Sequence, residues 1–191
     1  MVVNSKNGSC VYPFAGGTVN VSGGTYENRT TEDYQYKAGF RGMTINQAND
    51  QGQLVNITGG TFVGNDPQLG DDSNGARFVS MGYVAMPDAN AARTYHVVEG
   101  GVVTFDTNGG EPATIAEQRI AKNGKVTKPA DPTKANYVFG GWNNGTAAWD
   151  FDTNVITEDI TLTAQWTDAV AKIGDVYYAT LADAVAAAED G

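Results

Sequence analysis

The chain has 191 residues and a net charge of −10, from 12 basic and 22 acidic side chains, with one cysteine and one histidine. No stretch is basic, so nothing drives phosphate-backbone binding and nucleic acid is excluded as a partner. A lone cysteine excludes an internal disulfide and a thiolate metal cage. No apolar run approaches the roughly 18 residues that span a bilayer, so no membrane insertion is expected. Met1-Val2-Val3-Asn4 lacks the basic-then-apolar order of a signal peptide. The 24 glycines, with abundant Thr, Val, Asn and Tyr, favour short strands and turns over helices.

The first region, residues 1–98, contains an internal repeat. Val19-Asn20-Val21-Ser22-Gly23-Gly24-Thr25-Tyr26 recurs as Val55-Asn56-Ile57-Thr58-Gly59-Gly60-Thr61-Phe62. Val19, Val21, Val55 and Ile57 alternate with polar residues, which predicts strands with one buried face. The Gly-Gly pairs are expected to turn the chain at equivalent corners. Short self-similar strands divided by glycines are a solenoid signature. Met43-Thr44-Ile45-Asn46 is a candidate intermediate rung. The Gly-Gly-Thr-aromatic pattern resembles the right-handed parallel β-helix of large bacterial surface and glycan-associated proteins. Phe78–Val84 and Thr94–Val98 resemble the way such helices end. The plainer reading is an antiparallel sheet with glycine turns. In a solenoid the four apolar residues point into one interior.

Glu99-Gly100-Gly101 is a joint too short to tether modules freely. Beyond it run four ordered blocks: Val103–Gly110, Tyr137–Trp142, Trp149–Phe151 and Asp159–Trp166. Asn108-Gly109-Gly110 supplies the positive-φ positions of a hairpin turn, and Ala113 to Ile120 reads as the returning strand. Lys128-Pro129-Ala130-Asp131-Pro132 breaks any ladder. Ile160, Leu162, Ala164 and Trp166 share one strand face and are expected to bury against Phe105, Phe139, Trp142 and Phe151.

These blocks, in this order, over residues 102–166, resemble the Listeria–Bacteroides repeat, the internalin-type B repeat of bacterial surface proteins. The family has Gly where this chain has Asn136, a mild departure because Asn also tolerates the left-handed region. The resemblance implies a β-grasp-like extracellular module over residues 99–168 and implies no reaction.

In the tail, residues 169–191, Lys172–Tyr178 reads as a strand or hairpin. Thr180 and Asp183 fit a helix capping box. Leu181, Ala184, Val185 and Ala188 follow an amphipathic stripe. This resembles the cap that opens a further β-helix domain, truncated before its first coil.

Five features are candidates for chemistry. Cys10 is a free thiol with a redox or crosslinking alternative to a structural role. His96 lies in a strand pattern without the partners of a zinc site. Asp150 and Asp152 would share one strand face, and paired carboxylates can hydrolyse glycosides, but the Phe between them belongs to a structural block. The acidic loop Asp66–Gly75, with Asp71-Asp72-Ser73-Asn74-Gly75, fails the EF-hand spacing, so an irregular Ca²⁺ site stands against a solvated turn. Arg29, Lys37, Arg41 and Arg77 are scattered, unlike the clustered bases of a polysaccharide lyase. No catalytic, cofactor-binding or metal residue is assigned.

The fold class expected is mainly β: a short right-handed parallel β-helix, a β-grasp-like B-repeat module and a C-terminal capping helix. The function expected is a non-enzymatic, structural and adhesive module of a multi-domain protein, extracellular at the bacterial cell surface, with its signal and anchor outside this stretch. Its partners would be neighbouring modules of the chain and host or matrix glycans or proteins. The alternative is the non-catalytic portion of a carbohydrate-active β-helix enzyme of the lyase type.

Overall fold

A computed structural model describes residues 2–5, 10–11, 16–28, 35–36, 40–41, 54–64, 66–69 and 78–189. Met43–Asn46, Arg29, Lys37, Arg77 and Asp71–Gly75 lie outside the described residues. The chain is mainly β and forms two compact units. The first holds Met1–Gly101, Arg119–Gly124 and Ile156–Asp159; the second holds Val102–Gln118, Lys125–Val155 and Ile160–Gly191.

The first unit is built on the repeat. Strands β1 (Val2–Ser5), β2 (Thr18–Asn28) and β5 (Leu54–Val63) pair in parallel, β1 on β2 and β2 on β5. The two copies lie side by side, with Val19 opposite Val55, Asn20 opposite Asn56, and Val21 opposite Ile57. In-register parallel pairing stacks like on like. Val21, Val55 and Ile57 are buried in one apolar cluster, and Val19 packs against it. On the outer face the Asn56 side-chain amide donates to Asn20 Oδ1 at 3.0 Å. Ile57 also makes a parallel bridge to Val79. A short antiparallel pair, β3 (Gln35–Tyr36) and β4 (Phe40–Arg41), falls between the copies.

The glycine pairs do not turn corners as expected. β2 and β5 each run straight through theirs, and the register slips between Val21 and Thr25. The pairs make a bulge: Ser22 faces Gly59, and the in-step pairing resumes at Thr25 and Thr61. Glycine is needed here because a Cβ on Gly59 would sit 2.5 Å from the Ser22 carbonyl oxygen. Beyond the bulge Tyr26 stacks on Phe62, with ring centroids 5.2 Å apart.

An antiparallel hairpin then follows the parallel strands. β6 (Tyr83–Pro87) pairs with β7 (Thr94–Asp106), and the first part of β7 pairs antiparallel with β5 from Gly60 to Val63. Strand β8 covers only Gln118–Ala121, so the expected strand from Ala113 is irregular over most of its length. Its Arg119–Ala121 part belongs to the first unit. There Lys122 N–H donates to the Glu99 carbonyl, and Asn123 and Gly124 exchange hydrogen bonds with Ile156.

In the second unit β10 (Ile160–Asp168) is central. It pairs in parallel with Val103–Asp106 of β7 and antiparallel with β9 (Tyr137–Asn143). Leu162 and Ala164 are fully buried among Val103, Phe105, Val126 and Trp142. Phe105 and Phe139 meet Trp142 edge-on at 5.2 and 5.6 Å. Trp142 is 2% exposed, and Trp166 is partly exposed. The Trp166 indole N–H donates to the Thr107 carbonyl at 3.0 Å. Asn108 and Gly109 do adopt positive φ, 50° and 79°. Their turn leads to a bridge between Glu111 and Thr133, and the returning chain pairs with β7 only at β8. Asn136 has φ 66°, the left-handed conformation its family position calls for.

The tail forms a hairpin, β11 (Ala171–Ile173) with β12 (Val176–Tyr178), and a helix, α1 (Leu181–Glu189). The N-cap half of the expected box is present: Asp183 N–H donates to Thr180 Oγ1, whose hydroxyl donates to Asp183 Oδ2. Of the expected apolar stripe only Ala184 is buried; Leu181 is 68% exposed.

Ile57→Ala should destabilise by about 3 kcal/mol, since it empties a fully buried aliphatic site. Asn56→Ala, on the exposed ladder, should cost about 1 kcal/mol or less. Urea denaturation of the two variants measures the difference, and equal losses would refute the inward placement.

Candidate functional site

The residues singled out for chemistry are placed in structural roles. Cys10 is half-buried and its thiol donates to the Glu27 carbonyl at 3.2 Å. Asp150 and Asp152 do not share a strand face, because the chain turns at residues 151–153. Asp150 builds that turn. Its Oδ1 accepts the Asp152 N–H and its Oδ2 accepts the Thr153 hydroxyl, each at 2.8 Å. These bonds, that to Thr153 foremost, hold the Asp150 carboxyl below its ordinary value.

Asp66, at the head of the acidic loop, pairs with Arg119 and accepts the Gln68 N–H. Gln68 Oε1 in turn accepts the Ala85 N–H in the buried interior. A carboxylate already shared by a guanidinium and a backbone amide satisfies protein groups. No local pattern points to this knot, because Arg119 lies 53 positions from Asp66. Among the described residues no group of three or more His, Cys, Asp or Glu is placed to hold a metal ion. Among them, too, no helix is long and apolar enough to cross a membrane.

His96 joins three segments. Its Nε2 lies 2.9 Å from Asp88 Oδ2 and its Nδ1 lies 3.1 Å from Thr61 Oγ1. With Nε2–H donating to the carboxylate, the Nδ1 of a neutral ring accepts the Thr61 hydroxyl. Hydroxyl, imidazole and carboxylate in series is a nucleophilic relay in other settings. Here Thr61 sits mid-strand, paired with Thr25 on one side and His96 on the other, not on an exposed elbow. The trio ties the hairpin to the parallel strands. The His96 bond, followed by the Asn90 N–H, lowers the Asp88 carboxyl from its ordinary value.

A feature the sequence reading missed lies in the second unit. Pro132–Phe139, Trp166 and the tail hairpin enclose an open cleft of about 540 Å³. Lys134 Nζ stands 4.6 Å from the Tyr137 ring centroid and 5.8 Å from that of Trp166. It also donates to the Asn108 carbonyl at 3.0 Å. Lys172 Nζ lies 5.0 Å from the Tyr177 ring. The only available signal was two Lys-x-x-Tyr or Lys-x-x-x-x-Tyr spacings, too common to single out.

With this geometry in hand, comparison with known proteins gives the class. Residues 102–165 match the family model of the Listeria-Bacteroides repeat domain. A protein of Evansella cellulosilytica designated a membrane protein is 42% identical over 67 residues, 34% of this chain and 10% of its own length. A second protein of that organism, designated a Gly-rich membrane protein, is 36% identical over 67 residues, 34% of this chain and 8% of its own. Internalin H of Listeria monocytogenes is 35% identical over 78 residues, 39% of this chain and 14% of its own length. The chain therefore carries a Listeria-Bacteroides repeat of the internalin type at residues 102–165. It spans at most 14% of the length of these relatives.

The depressed Asp88 carboxyl gives a pH prediction. A lowered folded value contributes stability above the unfolded value, lost as pH falls through the folded one. In His96→Phe the Asp88 carboxyl should titrate closer to its ordinary 3.8. The stability gap between the native chain and the variant should narrow in acid. Carboxyl NMR titration with acid unfolding checks both, and an unmoved Asp88 titration would refute the clasp.

Proposed function

We propose that this chain is a structural module of a multi-domain bacterial cell-surface protein, a spacer that projects its neighbouring modules. The observation that carries this reading is the internalin-type repeat at residues 102–165. The designation of two relatives as membrane proteins agrees with a place at the cell envelope.

In this reading residues 1–98 are the closing turns of a parallel β-helix. Their support is the parallel, in-register pairing of copies 36 positions apart and the antiparallel hairpin that follows. Residues 99–168 are a β-grasp-like module, supported by the parallel pairing of β7 with β10. Residues 169–191 open a further cap, supported by the hairpin and the capped helix start. The exposed faces carry neutral polar pairs, Asn20 with Asn56 and Thr104 with Thr161, which suit a spacer bathed in water.

The module catalyses no reaction in this reading. Among the described residues Asp66, Asp88 and Asp150 each serve a neighbouring backbone amide or ion pair. No observation favours the lyase-type alternative.

Antibody raised against residues 102–166 should label intact cells that express the full-length protein, and trypsin treatment of those cells should remove the label. Labelling only after lysis would overturn the surface assignment. The purified chain should leave pectate, hyaluronan and cellulose undegraded, with or without Ca²⁺; depolymerisation abolished by one Asp→Asn change would overturn the non-enzymatic reading.

A further inference from the structure

We propose that the aromatic cleft of the second unit is a binding site for an acidic saccharide, a pyranose bearing a carboxylate. The inference goes beyond the spacer reading and stands or falls apart from it. Its walls are Tyr137, Trp166 and Tyr177, and its charged groups are Lys134, Lys172 and Asp175.

The rings supply the first half of the argument. Three aromatic side chains line one open cleft, and aromatic rings stack on the C–H faces of sugar rings. Trp166 is suited to this because its N–H is already committed inward, to the Thr107 carbonyl, while its ring remains partly exposed. The indole is thereby fixed before any ligand arrives, which lowers the ordering cost of binding. A cleft of about 540 Å³ falls in the range that holds a small ligand and has room for a disaccharide.

The charges supply the second half. The chain as a whole is at −10, yet this cleft gathers two ammonium groups against a single carboxylate. Lys172 and Asp175 stand 3.9 Å apart, and the Asp175 side chain is fully exposed, so their pairing is weak. Lys134 spends one of its three protons on the Asn108 carbonyl and is steadied over two rings. Its remaining donors are free to meet a carboxylate. At physiological salt charges act over about 8 Å, and the lining itself holds two cations to one carboxylate, with Asp168 across the ladder from Tyr137 as a further acid. Rings for the sugar face and ammoniums for its carboxylate match a uronic or sialic acid unit. An acidic peptide would use the same charges but would not need the stacked rings.

The test uses the whole 191-residue chain, titrated with digalacturonate and with sialyllactose. The readout is amide and indole NMR shifts. Cellobiose and lactose serve as neutral controls and tetraglutamate as the peptide control. The expected result is saturable shifts at the Trp166 indole and at Tyr137 and Tyr177 with at least one acidic sugar. Affinity should fall by about tenfold in the Lys134→Gln, Lys172→Gln double variant, and should weaken as salt is raised. Tyr177→Ala, in the short tail hairpin and outside the core around Trp142, should weaken binding while the remaining spectrum stays native, which avoids the folding risk of replacing Trp166. No saturable shift with either acidic sugar would overturn the proposal. So would equal binding of the neutral sugars, or binding of tetraglutamate alone. Cell-surface labelling is unaffected by any of these outcomes.

Discussion

The structure depends on backbone hydrogen bonding between strands that lie far apart in the chain. Buried amides need partners, and a chain with one short helix among its described residues must find them across ladders. In each unit the defining ladder is parallel: β2 with β5 in the first, β7 with β10 in the second. Parallel strands cannot be joined by a tight turn. Long connections are therefore obligatory, 36 positions between paired residues in one case and 57 in the other. The proline-containing loops, Asx turns and bulges of this chain follow from that requirement.

The cores are thin, and the two units fill them differently. The first relies on aliphatic stacking in register, with Val21 against Ile57 and Tyr26 on Phe62. Similar side chains on neighbouring strands pack without new shape complementarity at each step. The second relies on an aromatic set in which Trp142 is edge-on to Phe105 and Phe139. Aromatic pairs contribute about 0.5–1.5 kcal/mol beyond their buried area, which suits a small sheet with one covered face. The Trp166 indole is anchored by a hydrogen bond, while the buried Trp142 indole N–H has none among the described residues and its ring is held by packing.

The polar residues that resemble catalytic groups in a sequence serve as joints. Asp150 closes a turn, Asp66 holds Arg119, and Asp88 holds His96. A short carboxylate side chain accepts backbone N–H groups two residues on, so aspartates gather at turns whether or not chemistry is present. Lys134 and Lys172 follow another logic. They lie over rings, where cation–π attraction places charge beside apolar surface. That combination lines the cleft of the second unit.

What the sequence determined by itself is whatever period and local chemistry can write. Alternation at Val19–Val21 and Val55–Ile57 specified the inward faces, and the repeat specified that the copies would stack. Ordered aromatic blocks specified the second core, and Thr180 with Asp183 specified a helix start. Only the tertiary structure decided the rest. Gly23-Gly24 and Gly59-Gly60 bulge within strands instead of turning corners, and Gly59 must lack a side chain because the Ser22 carbonyl of the other copy comes within 2.5 Å of where its Cβ would lie. Residues 119–124 and 156–159 join the first unit because their backbone partners, such as Glu99, are there. The Asp66–Arg119 pair, the Asp88–His96–Thr61 chain and the aromatic cleft all join residues distant in sequence. Such pairings carry no local pattern, since they arise only when packing brings the segments together.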